Sequence, residues 1–261
     1  MSRVMAAELG SRGFGGASSG LWCSDAGPNM VARLARLGFD WLCLDMQHGV
    51  YSRTEIVNAA RSFPPEGAQL VVRVPSCDFF VIGTAFDAGA QAVIVPQIES
   101  AADAKRAVAA TFYPPAGARS WGQLGRIWGG PTLTLDAANR STSCAVMIES
   151  VDALSRVEEI AAVDGVDQLF VGPYDLSLSL GTTVQALLDD DSETSALTRI
   201  VQVAAAYGRT VGGFAGTPEL ADRFRERGLT CLVIATDLWI TNEGARAALR
   251  TSSDAGWREA T

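Results

Sequence analysis

The amino-acid sequence predicts a single (β/α)₈ barrel, and three observations support this fold class. The chain has 261 residues, close to the roughly 250 of one such barrel. Eight short apolar runs, rich in Val, Ile, Leu and Phe and with little alternation, are typical of parallel strands covered on both faces. Segments with helical periodicity separate these runs, and this alternation indicates a parallel sheet.

The eight predicted strands cover nearly the whole chain. They span 20–24, 41–47, 69–74, 92–97, 144–150, 168–173, 210–215 and 231–237. An open doubly wound sheet is the alternative fold, but it carries a G-x-G-x-x-G phosphate-binding turn after its first strand. Here the first strand is followed by DAGPNM, and the glycine-rich GFGG at 13–16 precedes it. The sequence therefore favours a closed barrel.

Predicted helices lie between the strands, and most of them are followed by a glycine. They span 29–37, 52–62, 79–87, 100–111, 152–162, 193–207 and 218–227. The glycines are Gly38, Gly89, Gly165, Gly208 and Gly228. A glycine just past the last helical turn is a common helix stop, so we expect the helices to end there.

No break in composition marks a second domain. Residues 1–261 are therefore predicted to form one domain, with a peripheral N-terminal segment over 1–18. The longest irregular stretch, 113–142, contains YPPAGARSWG, GRIWGG and PTLTLDAANR. Stretches of this length in a compact fold are usually functional or part of an interface.

The bulk composition argues against several function classes. With 19% charged and 48% hydrophobic residues, the chain is typical of a globular protein. Its net charge of −8 opposes nucleic-acid binding, because no run of Lys or Arg provides a basic patch. We see no signal peptide and no apolar run long enough to span a membrane. Five scattered cysteines without a C-x-x-C pair indicate free thiols and a cytoplasmic location.

Polar residues stand at the ends of several predicted strands, where a barrel of this type carries its active site. They are Asp45, Gln47 and His48 after the second strand, Arg73 in the third, Glu149 in the fifth, Asp175 after the sixth and Asp237 in the eighth. Because a closed barrel brings all strand ends to one rim, we expect these groups to converge.

Glu149 and Asp175 are carboxylates on neighbouring predicted strands. Two carboxylates, completed by water and substrate oxygens, suit a hard cation such as Mg²⁺ or Mn²⁺, with Co²⁺ as an alternative. A zinc site of the Cys/His type is excluded by spacing, since His48 is the only histidine. The structural alternative is that Asp175 caps the following turn and Glu149 is a solvated strand end.

Arg73 and His48 are the other candidate functional side chains. Arg73 lies in the apolar run VVRVP, so it must pair with an inward carboxylate or bind a carboxylate or enolate oxygen of a ligand. We favour the ligand. A lone histidine is more often structural, but His48 follows a strand end with Asp45 nearby to orient its ring. That arrangement is typical of general acid–base catalysis.

Six blocks of the sequence, taken together, resemble the HpcH/HpaI aldolase family. They are WLCLDMQHG at 41–49, VVRVP at 71–75, GAQAVIVP at 89–96, YPPAGARSWG at 113–122, VMIES at 146–150 and GPYDLS at 172–177. The blocks occur in order across nearly the whole chain. The most specific of them are D-x-x-H-G, Tyr-Pro-Pro-x-Gly-x-Arg and Gly-Pro-x-Asp-Leu-Ser.

The resemblance implies a fold, an activity and a role for each matched residue. The family consists of metal-dependent pyruvate aldolases with a (β/α)₈ barrel, and the wider group includes citrate-lyase-like enzymes. Glu149 and Asp175 match the metal ligands, Arg73 the arginine that holds the enolate oxygen, His48 the catalytic histidine and Asp45 its acidic partner. The backbone after Gly172 and Pro173 matches the segment that binds the substrate carboxylate. The resemblance also implies a homo-oligomer, a trimer or hexamer that exchanges its last helix.

Four positions depart from the family pattern. Gln47 stands where the family usually has Glu, Met147 where it has Gln, and Tyr174 where it has a small residue or Asn. Arg119 is followed by Ser120 and Trp121 rather than by Gly and a smaller residue. We therefore expect Gln47, Tyr174 and Trp121 to contact the substrate and to make the pocket differ from that of the family.

The predicted function is aldol cleavage or synthesis, with a pyruvate-like 2-oxo acid and an aldehyde as partners. The metal would stabilise the enolate, Arg73 would add positive charge beside the same oxygen, and His48 would relay a proton. Lys105, the only lysine, lies in a predicted helix, which disfavours a Schiff base. The alternatives are decarboxylation of an oxaloacetate-like acid and a catalytically altered binding barrel.

Overall fold

A closed barrel of eight parallel strands forms the centre of the computed structural model, which describes residues 14–122 and 132–254. The strands are β1 Ser18–Cys23, β2 Trp41–Asp45, β3 Gln69–Arg73, β4 Ala92–Val95, β5 Ser143–Ile148, β6 Gln168–Val171, β7 Thr210–Phe214 and β8 Cys231–Thr236. Each strand pairs with the next in sequence order, and β8 pairs with β1. The predicted fold class is confirmed.

Helices connect the strands on the outside of the barrel. They are α1 Pro28–Leu34, α2 Arg53–Ser62, α3 Phe79–Ala88, α4 Ala101–Thr111, α5 Leu135–Arg140, α6 Val151–Ser155, α7 Val157–Ala161, α8 Pro173–Ser179, α9 Val184–Asp189, α10 Ala196–Ala206, α11 Pro218–Glu226 and α12 Asp237–Asp254. Side chains cap many of their first turns. Ser52, Asp78 and Ser100, for example, each accept a hydrogen bond from a backbone N–H of the helix that follows.

All eight predicted strands are present in the predicted order, but each ends one or two residues early. The residues beyond the observed ends include Gln47, Glu149 and Pro173, which leave the hydrogen-bonded ladder and form the rim. The predicted glycine stops are confirmed for Gly89, Gly208 and Gly228, whereas α1 and α7 end before Gly38 and Gly165 are reached. Gly89, for instance, takes φ = 115° just after α3, a left-handed conformation that costs glycine little.

The predicted helices differ from the observed ones in two places. The single helix predicted over 152–162 is two short helices, α6 and α7, which meet at Arg156. The helix predicted from 193 begins at Ala196, because the Ser195 side chain accepts a hydrogen bond from the Thr198 N–H and so caps it. Four observed helices were not among the predicted ranges: the short helices α5, α8 and α9 and the longer helix α12.

The hydrophobic core has two layers, as expected for a barrel. The larger layer lies between the strands and the helices. The smaller layer fills the barrel interior with residues that include Trp22, Trp41, Val71, Met147 and Phe170. Phe14 closes this interior next to Trp41, with ring centroids 5.2 Å apart. Phe14 and Ser18, which the prediction placed in a peripheral segment over 1–18, therefore belong to the core and to β1, and residues 1–13 lie outside the described part of the chain.

The long irregular stretch predicted over 113–142 is described only in part. It contains α5, and the GRIWGG motif at 125–130 lies outside the described residues. Among the residues that the structure describes, no helix combines the length and the apolar character needed to cross a bilayer.

Candidate active site

Asp45 and Arg73 form a buried ion pair at the carboxyl ends of β2 and β3. The two residues are direct neighbours in the strand register. Arg73 Nε donates to Asp45 Oδ1 at 2.8 Å, and Arg73 Nη2 donates to Asp45 Oδ2 at 2.6 Å. Both side chains are nearly inaccessible to solvent. This two-point contact fixes the guanidinium plane at the rim.

Asp45 also receives three further hydrogen bonds. Trp22 Nε1 donates to Oδ2 at 3.1 Å, and the backbone N–H groups of Gln47 and His48 donate to Oδ1 at 3.0 and 3.3 Å. Burial alone would raise the pKa of Asp45. The hydrogen bonds and positive charge of Arg73, with the Trp22 N–H, outweigh burial and lower that pKa below its ordinary value of 3.8.

Asp45 was predicted to orient the imidazole ring of His48. In the described part of the chain its carboxylate instead bonds Arg73, Trp22 and two backbone N–H groups, one of which belongs to His48. The His48 side chain is exposed at the rim. Asp45 therefore positions His48 through the turn that carries it, and no hydrogen bond between the carboxylate and the ring is present.

Glu149 follows β5 and is 9% exposed. Its Oε1 accepts a 2.7 Å hydrogen bond from the backbone N–H of Gln97. Gln97 has φ = 56°, an uncommon conformation for a residue other than glycine. Burial raises the pKa of Glu149. The Gln97 N–H opposes this shift, the negative charge of Asp175 adds to it, and the charges of Arg73 and His48 oppose it. Asp175, Arg73 and His48 are thus each within electrostatic range of Glu149.

Gly172 allows β6 and α8 to approach Glu149 closely. A Cβ atom at this position would come within 2.9 Å of Glu149 Cβ and Met147 Cε and within 3.0 Å of Glu149 Oε2. Gly172 is the N-cap of α8, Pro173 is its first residue, and Asp175 is exposed in its first turn. The absence of a side chain at Gly172 therefore allows its backbone to pack directly against Glu149 and Met147.

Two of the departures from the family pattern also lie at this rim. Tyr174 is half exposed, and its ring packs against Phe214 with centroids 6.1 Å apart. Gln47 has a buried side-chain oxygen, Oε1, that accepts no hydrogen bond. A buried oxygen without a donor is costly, so a ligand or water that supplies a donor or a positive charge would be favoured there.

Trp121 does not lie at the rim where Glu149 and Arg73 are found. Backbone hydrogen bonds from 117–119 to Ala109, Phe112 and Tyr113 hold this segment beside the end of α4. That end is about 16 Å of helix away from the rim where α4 begins. Trp121 packs against Tyr113 in a separate pocket that Pro114, Arg119 and Leu135 also line. Trp121 was predicted to contact the substrate, but within this chain it does not lie at the rim that carries Glu149 and Arg73.

Asp237 is buried where β8 meets α12, and its carboxylate binds backbone rather than facing a ligand. Oδ2 accepts from the N–H groups of Ser24, Asp25 and Ala26 at 3.0, 2.8 and 2.8 Å. Ser24 in turn accepts, through its carbonyl, a 2.9 Å hydrogen bond from the N–H of Val50. Asp237 therefore fixes the β1–α1 loop, which supports the turn after His48.

Sequence reasoning missed Trp22, Gln97 and Phe214. A signal existed for Trp22, because a buried indole N–H needs an acceptor and this residue stands near the end of a predicted strand. Gln97 acts through its backbone, for which the residue type gives no signal. Phe214 stood inside a predicted strand among apolar residues and was indistinguishable from core.

The carboxylates available for a cation are Glu149 and Asp175. In the ranges 14–122 and 132–254, no cluster of three or more His, Cys, Asp or Glu side chains has the geometry of a metal site. A cation held here would take its remaining ligands from water and substrate, which suits a hard divalent ion and leaves positions open for a substrate.

Known proteins of one family are similar to this chain over most of its length. Residues 18–241 match the model of the HpcH/HpaI aldolase/citrate lyase family. A 2-dehydro-3,6-dideoxy-6-sulfogluconate aldolase from Pseudomonas putida is 36% identical over 84% of this chain and 86% of its own length. A 4-hydroxy-2-oxovalerate aldolase from Novosphingobium aromaticivorans is also 36% identical, over 92% of this chain and 90% of its own.

A solved structure agrees with these matches. The crystal structure of an HpcH/HpaI aldolase/citrate lyase family protein from Burkholderia cenocepacia J2315 superposes with a TM-score of 0.82 at 31% identity, covering 97% of this chain and 100% of that one. Its barrel and the six ordered sequence blocks lead to the same conclusion. The chain belongs to the HpcH/HpaI aldolase/citrate lyase family.

Proposed function

We propose that this chain cleaves or forms a carbon–carbon bond next to a pyruvate-like 2-oxo acid, with a divalent metal ion held by Glu149 and Asp175. The relatives that match over most of the chain are named as aldolases of 2-oxo acids, so the protein is a carbon–carbon lyase of the aldolase class. The observation that carries the residue assignment is Glu149, a buried carboxylate beside a second carboxylate and an arginine.

The residues at the rim fit a divalent cation. Glu149 Oε1 accepts the hydrogen bond of the Gln97 N–H, whereas Oε2 lies close to the backbone of Gly172 and accepts no hydrogen bond from the described residues, so it can bind a cation. Gln47 adds a buried oxygen that lacks a donor. Carboxylate and amide oxygens are the ligands that Mg²⁺ and Mn²⁺ prefer, and these two ions are our candidates, with Co²⁺ as an alternative.

The bound metal would supply Lewis acidity, polarising the keto oxygen of the 2-oxo acid. Residues of the chain itself supply the other interactions with the substrate. Arg73, fixed by Asp45, places positive charge beside the same oxygen as negative charge develops on it. His48, exposed at the rim, accepts or returns the proton of the aldol hydroxyl on an imidazole nitrogen. The backbone after Gly172 and Pro173 receives the substrate carboxylate.

The position of Lys105 supports this assignment. An imine mechanism needs a buried lysine at the strand ends, whereas Lys105 is exposed on α4 and is the only lysine in the sequence. Decarboxylation of an oxaloacetate-like acid is the second candidate. It is favoured by Tyr174, whose ring takes up space at the rim that a second substrate would need.

Exchange of the pyruvate methyl protons for deuterium tests enolate formation without an aldehyde. The wild-type protein with Mg²⁺ or Mn²⁺ should catalyse this exchange, and a chelator should stop it. Glu149→Gln and Asp175→Asn should each lower the rate by at least about a hundredfold, because losing one of two charged ligands weakens both binding and charge stabilisation.

Asp152→Asn is the matched control, because it removes an exposed carboxylate close to Glu149 in sequence. It should leave the exchange rate unchanged. Metal-bound wild-type protein without exchange would overturn the proposal and favour a binding barrel. Exchange together with loss of CO₂ from oxaloacetate, but without aldol cleavage, would favour the decarboxylase.

We also propose a cytoplasmic homo-oligomer, a trimer or hexamer. All five cysteines carry free thiols, as expected in a reducing compartment. Residues 244–251 of α12 are exposed and include Ala245, Ala247 and Ala248, which suits a helix that packs against another subunit. Light scattering that returns only the 27.5 kDa monomer mass would overturn the assembly, and cell fractionation tests the location.

A further inference from the structure

Trp22 contacts both members of the buried ion pair at the rim. It lies near the end of β1 and is 3% exposed. Its indole Nε1 donates to Asp45 Oδ2 at 3.1 Å, and the guanidinium carbon of Arg73 lies 4.9 Å from the centre of its ring. One side chain thus supplies a hydrogen bond to the carboxylate and a cation–π contact to the guanidinium.

Other aromatic rings hold the indole in place. Phe170 stacks on Trp22 with centroids 6.2 Å apart and an interplanar angle of 30°, and Phe214 meets it edge-on at 5.2 Å and 87°. A tryptophan with few rotatable bonds, packed between two rings, is a rigid support. It therefore restricts where Asp45 and Arg73 can move.

The ion pair leaves one guanidinium nitrogen of Arg73, Nη1, without a hydrogen bond to Asp45. Nε and Nη2 are used by Asp45, and Nη1 donates to none of the residues that the structure describes. Asp45 Oδ2 accepts from Arg73 and from Trp22 only. If the indole N–H is lost, Asp45 Oδ2 keeps a single donor among the described residues, and the carboxylate that fixes the guanidinium of Arg73 is less restrained.

We infer that Trp22 is a positioning residue that holds Arg73 where its charge meets the developing negative oxygen of the substrate. This role rests on the proposed function. It predicts a particular kinetic signature. A misplaced guanidinium should weaken stabilisation of the enolate more than binding of the keto acid. The value of kcat should therefore fall, whereas KM should stay nearly the same.

Trp22→Phe tests this inference, because phenylalanine keeps an aromatic ring at this position and removes the indole N–H together with part of the ring area. We expect kcat for deuterium exchange into pyruvate to fall about tenfold, the rate equivalent of one hydrogen bond to a charged group. KM for pyruvate should stay within about twofold of the wild-type value.

Trp41→Phe is the matched control. Trp41 is also buried inside the barrel, and its Nε1 donates to Ser18 Oγ at 3.1 Å, so this variant loses an equivalent hydrogen bond that does not involve the ion pair. Both variants should lower the melting temperature, but Trp41→Phe should keep the wild-type kcat. Equal kcat values for Trp22→Phe and Trp41→Phe would overturn the inference. No exchange by the wild-type protein would overturn the proposed function instead.

A second measurement does not depend on activity. In protein with ¹⁵N-labelled indoles, the Trp22 resonance is the one that Trp22→Phe removes. Asp45→Asn should shift that resonance and leave the Trp41 resonance in place, because the Trp22 indole donates to Asp45 and the Trp41 indole donates to Ser18. A Trp22 resonance that Asp45→Asn leaves unchanged would contradict the contact on which the inference rests.

Discussion

Two buried carboxylates at the same rim have opposite environments. Asp45 is bonded to a guanidinium and to three N–H groups, and its pKa is lowered. Glu149 has one N–H donor and lies near the charge of Asp175, and its pKa is raised. Residues whose environments shift their pKa values in opposite directions commonly have different roles. This contrast supports an anchoring role for Asp45 and the proposed role of Glu149 as a ligand of a cation.

The Asp45–Arg73 pair should make stability depend on pH. Because the folded-state pKa of Asp45 lies below its ordinary value of 3.8, the contribution of the pair is complete above that value and is lost as the pH falls through the folded-state pKa. Asp45→Asn should therefore lower the free energy of unfolding at pH 7 by about 3 kcal/mol. Urea unfolding should show this difference shrinking below pH 3.8.

A difference between wild-type and Asp45→Asn protein that stays constant from pH 7 to pH 3 would contradict this account. A double-mutant cycle with Arg73→Met separates the pair from the other contacts of Asp45. If the pair carries the effect, Asp45→Asn should cost much less when Arg73 is already absent.

The positions of the candidate side chains at the rim could be predicted from the sequence better than their hydrogen-bond partners. Arg73, Glu149, Asp175 and His48 could be predicted because polar residues at the ends of apolar strands stand out. The pairing of Asp45 with Arg73 depends on strand register, which places the two side by side and which the sequence pattern does not specify. Sequence proximity suggested His48 as the partner of Asp45 instead.

At the scale of elements, the strands were easier to predict than the short helices. Continuous apolar runs mark buried parallel strands clearly. In contrast, α8 follows β6 directly, and its sequence, PYDLSLS, contains serines that favour turns as much as helices. The break between α6 and α7 at Arg156 also has no breaker residue, although the Arg156 side chain donates to the carbonyl of Glu99 at 3.1 Å.

The β1–α1 loop depends on Asp237. Asp237→Asn replaces one acceptor oxygen with an NH₂ group that faces backbone donors, so it should lower the free energy of unfolding by about 3 kcal/mol. The amide protons of Ser24, Asp25 and Ala26 should also exchange faster with solvent. Hydrogen exchange followed by mass spectrometry measures this directly.

Asp40→Asn is the comparison for this loop. Asp40 Oδ2 accepts from one backbone N–H, that of Ser19, so its loss should cost less and should leave exchange at 24–26 unchanged. If Asp237→Asn exchanged at 24–26 like the wild-type protein, the loop would be held by other contacts.

At the scale of the whole molecule, barrel closure brings the site together. Side chains from β2 to α8, far apart in sequence, meet because eight parallel strands end at one rim. This convergence followed from the strand–helix alternation alone. The place of Trp121 did not, because the path of a long connection depends on tertiary contacts such as those of 117–119 with the end of α4.

The central claim is that Glu149 and Asp175 hold one divalent cation within reach of Arg73. The most direct test is a crystal structure of the protein soaked with Mn²⁺ and pyruvate, with the anomalous signal used to locate manganese. We expect one anomalous peak between the two carboxylates, with the keto oxygen of pyruvate between the ion and Arg73. A peak elsewhere, or carboxylates that contact only water, would contradict the claim.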